Sequence, residues 1–248
     1  MKDITVSLLQ SPVIGRNVLA SIASLTFVNS PLDVLSSNME SLKAQSLLDN
    51  ILDMDHQSIT EHYNFTFVLS GISRVALAQI TRHRIASYTS KSQQYQDHSG
   101  FPYITPPGIT ELKADQAYLV RKFEAHMHAA DSLYRELMAA GVDKDEARYV
   151  LPNACKVDLV VTMNTRSLYN FFKQRICKRN TREVQSIAIA MFSCLIEAGF
   201  SWLFHKAGPA CVSKGKCDQK HFCCGKPFVK LTKEKGGGSG KGRCDQDS

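Results

Sequence analysis

The sequence predicts an α+β fold, an antiparallel or mixed sheet flanked by long helices, on three observations. Tyr63 to Leu69 and Val157 to Met163 alternate apolar and polar residues, the period of two that puts one face of a strand in a core. Two longer stretches repeat apolar residues at helical spacing. Neither a regular strand-helix alternation nor a glycine-rich phosphate loop is present, which excludes the usual doubly wound sheet. At 248 residues and 44% hydrophobic content the chain can bury one sizeable core. One domain over residues 1–229 and a flexible tail over residues 230–248 are expected.

Asp3 to Leu9 reads as a first strand, followed by a polar stretch with Asn29, Ser30 and Pro31 and a helical run from about Leu35 to Met54. In the next strand Tyr63, Phe65, Phe67 and Leu69 alternate with Asn64, Thr66 and Ser70, and Gly71 ends it. The Ser73 hydroxyl is placed to cap a helix through Val75, Leu77 and Ile80 to Arg82, by accepting a free amide proton of its first turn. From Ala114 to Ala140, Leu119, Phe123, Met127, Leu133 and Leu137 mark an amphipathic helix that Gly141 stops. Asp143, Asp145 and Glu146 suit the positive end of a short helix, which must stop near Pro152. Val157, Leu159, Val161 and Met163 form another strand, and a long helix is expected from about Ser167 to Ala198. Gly236, Gly237, Gly238, Ser239 and Gly240 lie among charges in a tail that buries too little surface to order itself.

No stretch approaches the ~20 apolar residues of a membrane span, and Met1 to Leu9 is neither a signal peptide nor an anchor. Of eight cysteines, Cys155, Cys177 and Cys194 fall inside segments that read as strand or helix, where cysteine is an ordinary small hydrophobe. A reducing, cytoplasmic location is the simpler expectation. The net charge of +7 attracts anions without choosing among nucleic acid, mononucleotide and mere solubility.

The most informative segment runs from Arg82-His83-Arg84 through Ser90, Lys91 and Ser92 to Gln93, Gln94 and Tyr95. Cations at a helix C-terminus are stabilised by the dipole, and a capped helix end is the bland reading. Arg-His-Arg, seven residues and then Ser resembles the signature of the flavin-dependent thymidylate synthases, the ThyX family, and Arg82, His83, Arg84 and Ser92 fit it without a gap. The likeness extends to His56-Gln57-Ser58, Glu61-His62, Gln79, Arg148 ahead of Val150-Leu151-Pro152, and Asn164-Thr165-Arg166-Ser167-Leu168 leading to Arg175.

The resemblance implies a ThyX-like catalytic domain that binds FAD, with NADPH and 5,10-methylenetetrahydrofolate as co-substrates, and methylates dUMP to dTMP. It places Arg82, His83 and Arg84 on the flavin and its diphosphate, anionic groups that guanidinium forks suit. It gives Ser58, Ser90, Asn164, Arg166 and Asn170 to the flavin as well. Gln79, Arg82, Ser92, Gln93, Gln94, Arg148 and Arg175 fall to the pyrimidine deoxynucleotide, with Ser92 and Arg175 nearest the chemistry. His56 falls on the folate side, and no metal is implied. Arg166 and Asn170 share a helix face, whereas Arg175 points roughly opposite at about 100° per residue. One monomer could hardly aim both at one ligand, which agrees with the family's homotetramer and its active sites shared between subunits.

The family continues its serine with one residue and then Arg-Tyr, whereas Ser92 here is followed by Gln93, Gln94 and Tyr95. Losing a charged phosphate contact costs on the order of 1.5–3 kcal/mol. Three readings stay open: another cation such as Lys91 compensates, the substrate differs, or activity is lost. A flavin- and folate-dependent hydroxymethylation of dUMP or dCMP would need the same sites. Cys211, Cys217, His221, Cys223 and Cys224 carry zinc-type donors at poor spacing, and His126 and His128 lie on different faces of a helix. Lys173, Arg175, Lys178, Arg179 and Arg182 could engage RNA phosphates without turnover, but no aromatic recognition motif accompanies them, so nucleic acid is not the expected partner.

Overall fold

The computed structural model describes residues 4–29, 41–54 and 56–225. The expected helix start near Leu35 and the tail from residue 230 lie outside these residues. In chain order the main elements are β1 (Thr5–Gln10), α1 (Arg16–Ser24), α2 (Ser41–Asp53), β2 (Asn64–Ser73), α3 (Arg74–Ile80), β3 (Ser87–Ser90), α4 (Ala117–Ala139), β4 (Lys156–Asn164), α5 (Thr165–Arg175) and α6 (Arg182–Glu197). Short helical turns follow at Ser201–Phe204, Ala210–Ser213 and Lys220–Phe222.

The sheet has four antiparallel strands in the order β1-β2-β4-β3, as the α+β expectation requires. Val157, Leu159, Val161 and Met163 are buried while their neighbours are half-exposed, the alternation read from the sequence. Phe65, Phe67 and Leu69 supply the matching row of β2 and join helix residues such as Phe172, Val184 and Leu195 in one core. Gly71 does not end β2. It sits at φ +71 where the β2–β4 register shifts between Leu69 and Ile72, so the glycine serves a bulge and the strand resumes through Ser73. The Gly71 amide donates to Asp158 Oδ1 at 2.9 Å, fixing the distortion.

Ser73 caps α3 as expected, its hydroxyl oxygen accepting from the Ala76 amide at 3.0 Å. The Glu183 carboxylate, buried in the first turn of α6, accepts from both the Ser73 amide and the Ser73 hydroxyl at 2.7 Å. The start of α3 is therefore tied to α6. Its other end stops at Ile80, so Arg82, His83 and Arg84 stand in the turn after it rather than inside the helix.

The single helix expected from Ser167 to Ala198 is two helices, α5 and α6. The Asn180 side-chain amide donates to the carbonyls of Gln174 and Cys177, and Gln185 Nε2 donates to Ile176 O at 2.8 Å. These bonds satisfy the free carbonyls that a continuous helix would have used. α4 stops at Gly141, φ +87, but its expected apolar stripe is only partly used. Met127, Ala130 and Tyr134 are buried, whereas Leu119 and Leu133 stay exposed, because α4 packs on a small second cluster with Phe101 and Cys155 rather than on the main core. Among the described residues no helix is long and apolar enough to cross a membrane.

Candidate active site

A cleft of ≈ 1220 Å³ opens where the turn after α3 faces α5. Arg82, His83 and Arg84 line it from the turn, and Asn164, Arg166, Asn170 and Arg175 line it from α5 and its cap. Seven of the residues singled out in the sequence thus meet in one chain. Arg166 and Arg175, nine residues apart on α5, both line this cleft.

The side chains of α5 and its cap arrive already oriented. Asn164 is the N-cap of α5 and its side-chain oxygen accepts from the Ser167 amide at 2.8 Å, which fixes the side chain with its N–H groups able to donate to a ligand. Arg166 Nη1 donates to Glu61 Oε1 at 2.7 Å, and Asn170 Oδ1 accepts from Gln174 Nε2 at 2.8 Å. Arg175 reaches back across the gap: Nη2 donates to Gln79 O at 2.7 Å, Nε to His83 Nε2 at 3.0 Å and Nη1 to Asn180 Oδ1 at 3.2 Å. Gln79 therefore enters through its backbone carbonyl.

His83 is buried with its ring edge on Phe171, centroids 5.0 Å apart. Because Nε2 accepts from a guanidinium, the ring is neutral with its proton on Nδ1. Burial, reinforced by the Arg175 charge, pushes its pKa from 6.5 down to about 4. Tyr88 donates to both His83 O at 2.9 Å and Ile80 O at 3.0 Å, and burial raises its phenol to about 12, so it donates at any physiological pH.

The sign of the pH effect follows. An unfolded histidine takes up a proton near 6.5 and the folded one only near 4, so this contribution to stability is full above pH 6.5 and is lost as pH falls through that window. Denaturant midpoints of the wild type and His83→Gln, followed from pH 7 to pH 4, should converge as pH falls. Parallel curves would show that the neutral ring does not matter.

Burial, then the neighbouring Arg82 charge, lowers the Arg175 pKa. Lys206 pairs with Asp53 and Arg166 with Glu61 at the cleft wall. Among the described residues no carboxylate pairs with Arg82, Arg84 or Lys214, which line the same cleft. This donor set and volume fit a ligand carrying a diphosphate.

The other expected site residues lie elsewhere. Ser90 closes β3, which pairs with β4 from Ser87↔Thr162 to Ser90↔Leu159 and so leads away from Asn164 by about 3.3 Å per residue. Ser92 and Gln93 are half-buried beyond it and Gln94 is exposed, its amide donating to Ser92 Oγ at 3.1 Å. Lys91 Nζ pairs with Asp158 Oδ2 at 3.0 Å. Arg148 pairs with Asp145 at 2.7 Å and lies close enough to Arg74 to help lower the Arg74 pKa, behind burial and against Cys155. Arg74 Nη2 donates to Lys91 O at 3.2 Å, and its buried Nε has no partner among the described residues. Arg74 and Arg148 thus form a second cationic group beside the Ser92 segment. His56 and Ser58 are exposed around the short helix Gln57–His62, whose Gln57 and Glu61 line the cleft instead.

Sequence reasoning missed Lys206 and Lys214, contributed to the cleft by the segment after α6, and nothing in their local pattern marks them. Of the basic run, Lys173 pairs with Asp218 at 3.7 Å, Arg179 donates to Gln219 at 2.8 Å and Arg182 pairs with Glu111. Its charges are largely engaged within the fold. Among the described residues no group of three or more His, Cys, Asp or Glu side chains is placed to hold a metal ion.

The family profile Thy1, described as thymidylate synthase complementing protein, matches residues 14–198. The flavin-dependent thymidylate synthase of Geobacter sulfurreducens is 36% identical over 89% of this chain and 94% of its own length. That of Clostridium tetani is 33% identical over 90% of this chain and 94% of its own. Among solved structures, the UMP/dUMP methylase PolB from Streptomyces cacaoi, bound with 5-Br dUMP, superposes with a TM-score of 0.67 over 83% of this chain and 96% of that one, at 21% identity.

Proposed function

We propose that this chain, which belongs to the Thy1 family of thymidylate synthase complementing proteins, is a flavin-dependent thymidylate synthase that reductively methylates dUMP to dTMP. The observation that carries the reading is the single cationic cleft on which the Arg82-His83-Arg84 turn and the Asn164–Arg175 helix converge. Arg82, Arg84 and Lys214, without a carboxylate partner among the described residues, supply charge for the diphosphate of FAD, and Asn164, oriented by its cap bond, offers N–H donors to the flavin ring. The flavin, when bound, supplies hydride chemistry that no side chain here can provide. Methylenetetrahydrofolate is the one-carbon source in this reading and NADPH the reductant.

The chain's own share is positioning and charge. Arg175 is half-buried between His83 and the Gln79 carbonyl, suited to polarise a pyrimidine carbonyl so that electron density develops at the carbon being alkylated. The neutral His83 accepts from Arg175 and holds that guanidinium in one orientation.

Arg74 and Arg148 beside Ser92 form a second attractor, suited to the nucleotide phosphate. One chain separates it from the cleft by the length of β3. Exposed Tyr95 and Tyr149, 77% and 86% accessible, flank this second group, the composition of an uncovered interface. These features support a homotetramer in which the nucleotide lies between the second group of one chain and the cleft of another.

The test is direct. Protein reconstituted with FAD, reduced anaerobically and given dUMP and methylenetetrahydrofolate should yield dTMP by mass spectrometry. A hydroxymethylated nucleotide would redirect the reading to the related hydroxymethylation, and recovery of unmodified dUMP alone would overturn both.

A further inference from the structure

A second cavity, ≈ 320 Å³, adjoins the cleft and shares Lys173, Gln174, Arg175 and Ala210 with it. Its walls are the turn after α5 and the segment from Pro209 to Cys224, and four cysteines line it: Cys177, Cys211, Cys217 and Cys224. All four carry free thiols. Such convergence is not a consequence of spacing in the sequence, since Cys177 is brought to the others by the break between α5 and α6.

Two contacts set the register of the walls. Lys173 Nζ meets Asp218 Oδ2 at 3.7 Å, and Arg179 Nη1 donates to Gln219 Oε1 at 2.8 Å while its guanidinium lies 5.1 Å from the Phe222 ring centre. Cys177 falls between Lys173 and Arg179 on one wall, and Cys217 adjoins Asp218 and Gln219 on the other. Both are half-buried, within reach of small solutes. The Lys173–Asp218 and Arg179–Gln219 contacts tie the neighbours of Cys177 to those of Cys217 across one cavity, the arrangement on which a pairing of two thiols rests.

We propose that Cys177 and Cys217 are a thiol pair that closes to a disulfide and fastens the C-terminal segment to the end of α5. The oxidant is a small-molecule disulfide of the glutathione class. One cysteine attacks it, releasing one small thiol and leaving a mixed disulfide, and the second cysteine displaces the other small thiol. In sum two protein thiols become one S–S bond, and the small disulfide is reduced to two thiols. The fastened segment carries Gly208, Ala210, Ser213 and Lys214 of the cleft wall, and Cys177 stands two residues after Arg175, so the bond changes the freedom of the cleft itself.

The full chain, incubated with oxidised glutathione, alkylated and digested without reduction, should give a linked Cys177–Cys217 peptide that dithiothreitol removes. Amide hydrogen exchange across residues 208–216 should slow on oxidation in the wild type and stay unchanged in Cys177→Ser and in Cys217→Ser. The serine variants also separate this bond from that of Cys223, which is already disulfide-bonded. Absence of the linked peptide, or its formation with no change in exchange, would overturn the proposal. Both readouts are independent of ligand and turnover, so a failed synthase assay leaves them decisive.

Discussion

Arg175→Ala lowers kcat/KM for dUMP on the order of 10²–10³-fold, the usual cost of removing a charge-stabilising donor, and leaves the flavin bound. The guanidinium sits where α5 ends, held by the Gln79 carbonyl, His83 and Asn180. The turn that carries Arg82 and Arg84 is also held by the Tyr88 hydroxyl, which donates to Ile80 O and His83 O, and those bonds remain in the variant. Arg175→Lys should recover little, because a single ammonium cannot replace a fork that meets three acceptors at once. Visible absorbance of the purified variant and its steady-state rates are the two measurements. A colourless Arg175→Ala protein would move this residue from the nucleotide to the cofactor. Mixing Arg175→Ala with Arg148→Ala chains adds a further reading, since shared sites would restore part of the lost turnover and self-contained ones none.

Gln94→Arg tightens dUMP by about tenfold or more, the equivalent of one charged hydrogen bond of roughly 1.5–3 kcal/mol. Gln94 is exposed and its backbone is already fixed by Ser92 Oγ, so the longer side chain meets no steric obstacle from burial. Lys91 is a poor substitute for the missing charge, because it is bound to Asp158, whose carboxylate also holds the Gly71 bulge. Arg74 is the better one, with a buried Nε that has no partner among the described residues and the like charge of Arg148 beside it. Calorimetric titration of dUMP into both proteins measures the difference. Equal or weaker binding in Gln94→Arg would mean that the phosphate does not reach this segment, and the substrate would then need to be sought among other pyrimidine nucleotides.

What the sequence disclosed follows the range over which its signals act. β2 and β4 announce themselves because each is flanked by strands on both sides and buries one full row, and Ser73 and Gly141 act on their own helices. β3 was not read as a strand: Ser87, Tyr88, Thr89 and Ser90 sit at the sheet's edge, mostly exposed, and only their pairing with β4 defines them. α1 was likewise missed, and α5 and α6 were read as one helix because the Asn180 side chain that breaks them bonds carbonyls up to six residues away. The cleft's Arg and Asn residues were legible through the family likeness. Lys206 and Lys214 were not, since their role depends on how the chain returns after α6, a tertiary fact with no local trace.

The short edge strand between the two cationic groups acts as a ruler. Adding or deleting one residue between Arg84 and Ser92 would have to be absorbed by β3, and a slip of one position turns every side chain of a strand to its opposite face. The interval from Arg-His-Arg to serine is therefore a length as much as a set of letters. Any relative that alters it must rebuild the pairing of Ser87–Ser90 with Leu159–Thr162 before it can bring the same two anchors to one ligand.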